Sequence, residues 1–163
     1  MVIGLILVVL GLVSLFVPIP HRVRHGVQAG PISLGVGDLL GLYADAFGCT
    51  EVQAADLLRD RPGLEAAVAR PATYAHYKRA DLPLQAAVLA HGIAEGQFFI
   101  DGNKRAALVA MRVFLLINGF NVGGSQADRA TWILDLSERG TDAEEKIERL
   151  VETLRRAIRP AAN

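Results

Sequence analysis

Residues 103–120 read NKRAALVAMRVFLLINGF, and from Ala106 to Ile117 only Arg112 interrupts the apolar run. A helix that is apolar on nearly every side has to be wrapped by other elements, so this segment predicts a central core helix. Asn118-Gly119 closes it. Everything else in the fold has to supply the walls around it.

The neighbouring segments supply helices. DLLGLYADAFG places Leu39, Leu42, Tyr43 and Ala46 on one face and stops at Gly48. EVQAADLLRD forms a second short helix, and PGLEAAVARP a third, bounded by Pro62 and Pro71. Residues 72–80 read as a polar and aromatic connection. DLPLQAAVLAHGIAEG has Asp81 as N-cap, Pro83 in the first turn and Gly96 past its end. SQADRATWILDLSERG starts at Ser125 and stops at Gly140, with Trp132 expected in the core. The last helix opens with Thr141 and Glu144 in capping-box spacing. It carries a stripe of Ile147, Leu150, Val151, Leu154 and Ile158, a surface open to a partner helix as well as to this chain's own core. No strand alternation competes. The expected class is all-α, a compact bundle of about six or seven helices around a buried central one.

Residues 1–20 carry no charge, about the length that spans a bilayer as a helix. Cations come after the run and do not precede it (Arg22 and Arg24, beside His21 and His25), which is not the signature of a secretory signal. The positive-inside tendency then puts the rest of the chain on the cytoplasmic face. A membrane anchor, a buried or aggregating leader, and upstream sequence attached by a mistaken start site all fit the run. The expected organisation is a hydrophobic segment over 1–20, a linker over 21–31 and one domain over 32–160. With 17 Lys+Arg against 17 Asp+Glu, no basic excess points to nucleic acid. The single Cys49 leaves no internal disulfide or cysteine-based zinc cage, and the four histidines lack metal-ligand spacing.

The chemistry lies between the two most apolar helices, in QFFIDGNKR at 97–105. Gly102 and Asn103 open the central helix, whose first N–H groups and dipole favour an anion. Lys104 and Arg105 stand where the dipole disfavours cations, which suggests an anionic ligand that neutralises them. Asp101 is a hard oxygen donor suited to Mg²⁺ beside a phosphate. On spacing alone, a surface turn with a solvated charge cluster remains open.

QFFIDGNKR followed by AALVAMRVFLLINGF resembles the Fic/Doc (Fido) family, in particular its Doc, or death-on-curing, branch. Phe99, Asp101, Gly102, Asn103, Lys104 and Arg105 all match that signature, and the likeness covers about residues 32–158. It implies ATP with Mg²⁺, and no tightly bound cofactor. Phosphate would meet Gly102, Asn103, Lys104 and Arg105, Mg²⁺ would meet Asp101, and Phe99 would pack the loop into the core. Lys104, with Leu108 where AMP-transferring members carry a second Arg, implies phosphoryl transfer to a hydroxyl of a translation factor of the elongation factor Tu type. A small antitoxin partner is implied as well. Tyr74, Tyr77 and Lys78 fall where the family positions its target, although a solvated loop with one or two anchoring aromatics is the commoner explanation.

Gln97 departs from the pattern. The family has His there, the base that takes the hydroxyl proton. A glutamine amide orients a hydroxyl but accepts no proton at neutral pH. His91 is about 240° away round an ideal helix and faces elsewhere, and Glu95 is expected at the cap or in solvent. A weakened transferase, a catalytically inactive binding domain and an AMP-transferring enzyme all stay open.

Overall fold

The computed structural model describes residues 31–138 and 140–161. The expectations for residues 1–20 and for most of the 21–31 linker fall outside them. The described residues form α1 (Val36–Phe47), α2 (Glu51–Asp56), α3 (Arg61–Lys78), α4 (Leu82–Gly96), α5 (Asn103–Ile117), β1 (Phe120–Val122), α6 (Gln126–Asp135), α7 (Ala143–Ala157) and β2 (Ile158–Pro160). The protein is thus an all-α bundle of seven helices among the described residues. α5 lies at its centre, packed along α4 and flanked by α1 and α6. Ala106, Ala107, Ala110, Met111, Phe114 and Leu115 of α5 are all buried. α4 is rich in alanine, and that lets the two backbones pack closely. Among the described residues no helix is long and apolar enough to cross a membrane.

Four local expectations change. α3 does not stop at Pro71 but runs through it, absorbing most of the expected 72–80 connection. Pro71 removes one hydrogen bond, but its buried ring and the buried Leu64, Ala67 and Val68 hold α3 on α4, and tertiary packing outweighs the local break. The last helix is capped by Asp142, not Thr141: Asp142 accepts from the Glu144 N–H at 2.8 Å. That helix ends at Ala157, and the chain then pairs antiparallel with the segment after α5, Val122 opposite Ile158 and Phe120 opposite Pro160. Three-residue strands are too short to show alternation, so no sequence pattern announces them. Trp132 is only partly buried, packed against the core from its edge.

Leu150, Val151 and Leu154 of the α7 stripe are buried, and α7 packs on α4. The stripe is therefore mostly covered by this chain itself. The end of α5 is tied to the start of the domain. Asn118 accepts from the Ile32 N–H at 2.7 Å and donates to the Ile32 and Phe114 carbonyls at 2.9 and 2.7 Å.

Candidate functional site

The loop 97–102 joins α4 to α5 and is fixed from three sides. Gln97 is the C-cap of α4 with φ 49, a left-handed conformation for a non-glycine residue. The residue that ends the helix is thus Gln97 and not Gly96, and its exposed side chain borders a cleft. Gly96 has another reason to be glycine: a Cβ there would fall 2.1 Å from the Phe98 ring, and one on Gly63 would fall 2.8 Å from the same ring. Phe98 is wedged between α3 and α4 at positions where only glycine leaves room. Beside it, the α2–α3 connection runs antiparallel to the loop, with Leu58 bridged to Phe99. The Arg59 N–H donates to the Phe98 carbonyl at 2.7 Å and the Ile100 N–H to the Leu57 carbonyl at 2.9 Å.

From the other side an aromatic stack holds the loop. Tyr43 lies between Phe47 and Phe99, with both centroid separations 4.2 Å. Its hydroxyl donates to the Asp101 carbonyl at 3.0 Å. Burial, with Asp101 nearby as a lesser cause, pushes the Tyr43 hydroxyl above its ordinary pKa, so it remains a donor at neutral pH.

Asn103 works inward. Its side-chain oxygen accepts from the Phe99 N–H and its NH₂ donates to the Phe99 carbonyl, both at 2.9 Å. The amide closes the loop like a clasp, and what Asn103 offers an anion is its backbone N–H. Gly102, in the left-handed region at φ 78, precedes it, and no side chain caps α5. The Ala106 N–H reaches the Gly102 carbonyl at 2.9 Å, while the N–H groups of Asn103, Lys104 and Arg105 open the helix without a cap. Uncapped N–H groups at the positive end of a helix form a ready seat for phosphate or carboxylate.

This seat opens into a cleft of about 710 Å³. Gln97, Asp101, Gly102, Asn103 and Lys104 line it together, joined by Arg59, Glu95 and Lys146. The fold therefore brings together five of the residues singled out in sequence. It places Arg105, Tyr74, Tyr77, Lys78 and His91 elsewhere. The guanidinium of Arg105 lies over the Phe47 ring, 4.3 Å from its centroid. Tyr74 and Lys78, at the end of α3, line a separate groove against α7, with the Lys78 ammonium 4.5 Å from the Tyr74 ring centroid. Tyr77 is exposed. His91 is partly buried within α4, its Nδ1 without a partner, and burial lowers its pKa against the opposing pull of Glu95.

Asp101 uses one carboxylate oxygen to accept from the Gly102 N–H at 2.6 Å. Its other oxygen remains for a cation. No group of three or more His, Cys, Asp or Glu among the described residues could hold a metal alone. Mg²⁺ fits such a place, since it is commonly held by one or two carboxylates together with substrate phosphates and water.

Sequence reading missed Arg59 and Lys146. Arg59 belongs to the edge paired with the loop, and Lys146 to the far helix. Glu95 is exposed, as expected, and also approaches Lys146, with Oε2 3.9 Å from Nζ. Lys146 did carry a signal: it lies four residues before Leu150, inside the apolar stripe of its helix.

The Fic/DOC family model matches residues 34–115, half of the chain, from before α1 to the last turn of α5. No curated protein matches the chain.

Proposed function

The chain belongs to the Fic/DOC family, and from that premise we propose that it transfers a phosphoryl group from ATP to a hydroxyl of a protein, slowly. The observation that carries this reading is the uncapped start of α5, opening with Lys104 and Asp101 into one cleft. The N–H groups of Asn103, Lys104 and Arg105 receive phosphate oxygens, and the Lys104 ammonium adds a charge-assisted donor. Asp101 would hold Mg²⁺, which supplies charge neutralisation on the phosphates when bound. Gln97 orients the attacking hydroxyl through its amide but does not take the proton, which passes to solvent. The missing base slows the step by about 10²–10⁴-fold.

Lys104 and Leu108 favour phosphoryl over AMP transfer. Leu108 packs against the core one turn after Lys104, where the AMP-transferring arrangement needs a second arginine. The same likeness to the Doc branch underlies the proposed setting, a toxin with a small antitoxin and a translation factor of the elongation factor Tu type as target. One observation favours a second reading, a nucleotide-binding domain without turnover: Gln97 borders the cleft with no titratable nitrogen to offer.

The test uses ATP labelled at the γ or the α phosphate, a cell lysate, and the full chain as wild type, Gln97→His and Lys104→Met. Asn103→Ala is a poor control, because its amide holds the loop together. Transfer of γ label by the wild type, lost in Lys104→Met, is the expected result. Transfer of α label would establish AMP transfer instead. Label moved only by Gln97→His would make the native chain a disabled transferase. Absence of ATP binding by every variant would leave QFFIDGNKR as a structural turn.

A further inference from the structure

We propose that Lys146, from α7, is an anion ligand of the cleft and binds a phosphate oxygen of the nucleotide seated on the start of α5. This rests on the nucleotide reading above and adds to it a residue from outside the loop, beyond the segment that the family model covers.

Lys146 is 8% exposed, yet it lines the cleft together with Gln97, Asp101, Gly102 and Lys104. An ammonium carries three donors and no acceptor. Among the described residues its one ion pair is with Glu95, with Nζ 3.9 Å from Oε2, too long for a hydrogen bond. Among the described residues Lys146 has no other polar partner for its side chain. A lysine at the rim of a helix ordinarily buries its stem and leaves its head in water. Here most of the side chain is covered: Lys146 borders a small hollow with Trp132, Asp135 and Leu150 as well as the cleft. An ammonium on a side chain so largely removed from water, with no hydrogen bond from the protein, gains from a ligand that completes its shell. The cleft it borders already holds the N–H groups of α5 and the Lys104 side chain, donors that suit an anion.

Phosphate is the anion that uses all of these donors at once. Its oxygens can accept from the α5 N–H groups, from Lys104 and from Lys146, reached from different directions. The Glu95 carboxylate, 41% exposed, holds the ammonium near the cleft until a phosphate arrives. Lys146 is therefore a binding and positioning residue; it closes the phosphate site on the side the loop leaves open.

The experiment is calorimetric titration of the full chain with Mg-ATP, with inorganic tripolyphosphate and with adenosine. The variants are Lys146→Met, Lys146→Arg and Glu95→Gln, each checked by thermal melting. Loss of a charge-assisted hydrogen bond predicts ATP and tripolyphosphate binding weaker by roughly 10- to 100-fold in Lys146→Met. Adenosine binding stays unchanged in that variant, and Lys146→Arg keeps most of the phosphate affinity. Glu95→Gln, which frees the ammonium, binds tripolyphosphate more tightly than wild type. Wild-type tripolyphosphate affinity in Lys146→Met overturns the proposal and leaves the nucleotide reading intact. Glu95→Gln weakening binding as much as Lys146→Met would also overturn it, since the pair would then only hold α7 on α4. If Lys146→Met does not fold, Glu95→Gln decides by the direction of its change. Failure of the wild type to bind either phosphate ligand removes the nucleotide reading and this inference together.

Discussion

Replacing Gly102 by alanine should damage the loop in two separable ways. The backbone there has φ 78, and a Cβ would fall 2.0 Å from Cζ of Phe47, with two more ring atoms at 2.7 and 2.9 Å. The left-handed conformation costs an L-residue about 1–2 kcal/mol. The clash adds about 1–3 kcal/mol if the ring has to be displaced. Phe47 cannot move freely, because it stacks on Tyr43 and carries the Arg105 guanidinium. The sum is about 2–5 kcal/mol. Gly48→Ala is the matched control: φ is 65, and a Cβ there meets nothing within 4 Å. It should show the conformational cost alone, about 1–2 kcal/mol. Urea unfolding of both variants, with m-values unchanged, gives the two losses. In the double variant Gly102→Ala/Phe47→Ala the clash disappears, so the two changes should couple favourably by about 1–3 kcal/mol. Equal losses at Gly102 and Gly48, or additive behaviour in the double variant, would refute the claim that the Phe47 ring pins the start of α5.

Asn103→Asp keeps an acceptor for the Phe99 N–H but faces the Phe99 carbonyl with no donor, so it should destabilise by about 1–3 kcal/mol; thermal melts check it. Gln97→Gly should raise stability by up to about 1 kcal/mol in urea unfolding, because glycine adopts φ 49 without strain. Burial lowers the folded pKa of His91 below its ordinary 6.5, so the unfolded chain binds more protons just below that pH. Stability should then fall as pH drops from 6.5 and level off once folded His91 is protonated too, with Arg70, Glu95 and Lys146 as the charged groups around it. Melting temperatures of wild type and His91→Leu from pH 8 to pH 5 measure this; parallel curves would count against it.

The central helix was legible because its apolar residues are consecutive, and the candidate loop because Asp101 to Arg105 are neighbours in the chain. Chemistry assembled from distant segments was not. Glu95 and Lys146 are 51 positions apart, and only the packing of α7 on α4 brings them together. Local grammar also cannot say where a side chain is engaged. Asn103 reads as a phosphate ligand until its amide is seen on Phe99, and Arg105 until its guanidinium is seen on Phe47. Pro71 misleads for a related reason: the breaker rule describes a helix in isolation, whereas α3 lies against α4 along its length.

The clasp between Asn118 and Ile32 fixes where the chain enters the domain. Asn118 ends α5 and Gly102 begins it, with 15 helical residues between them. At 1.5 Å per residue the two points are about 24 Å apart. Whatever precedes residue 31 therefore leaves from the end of the central helix opposite the cleft. A partner joined directly at residue 31 would meet the domain at that end of α5, away from Gly102.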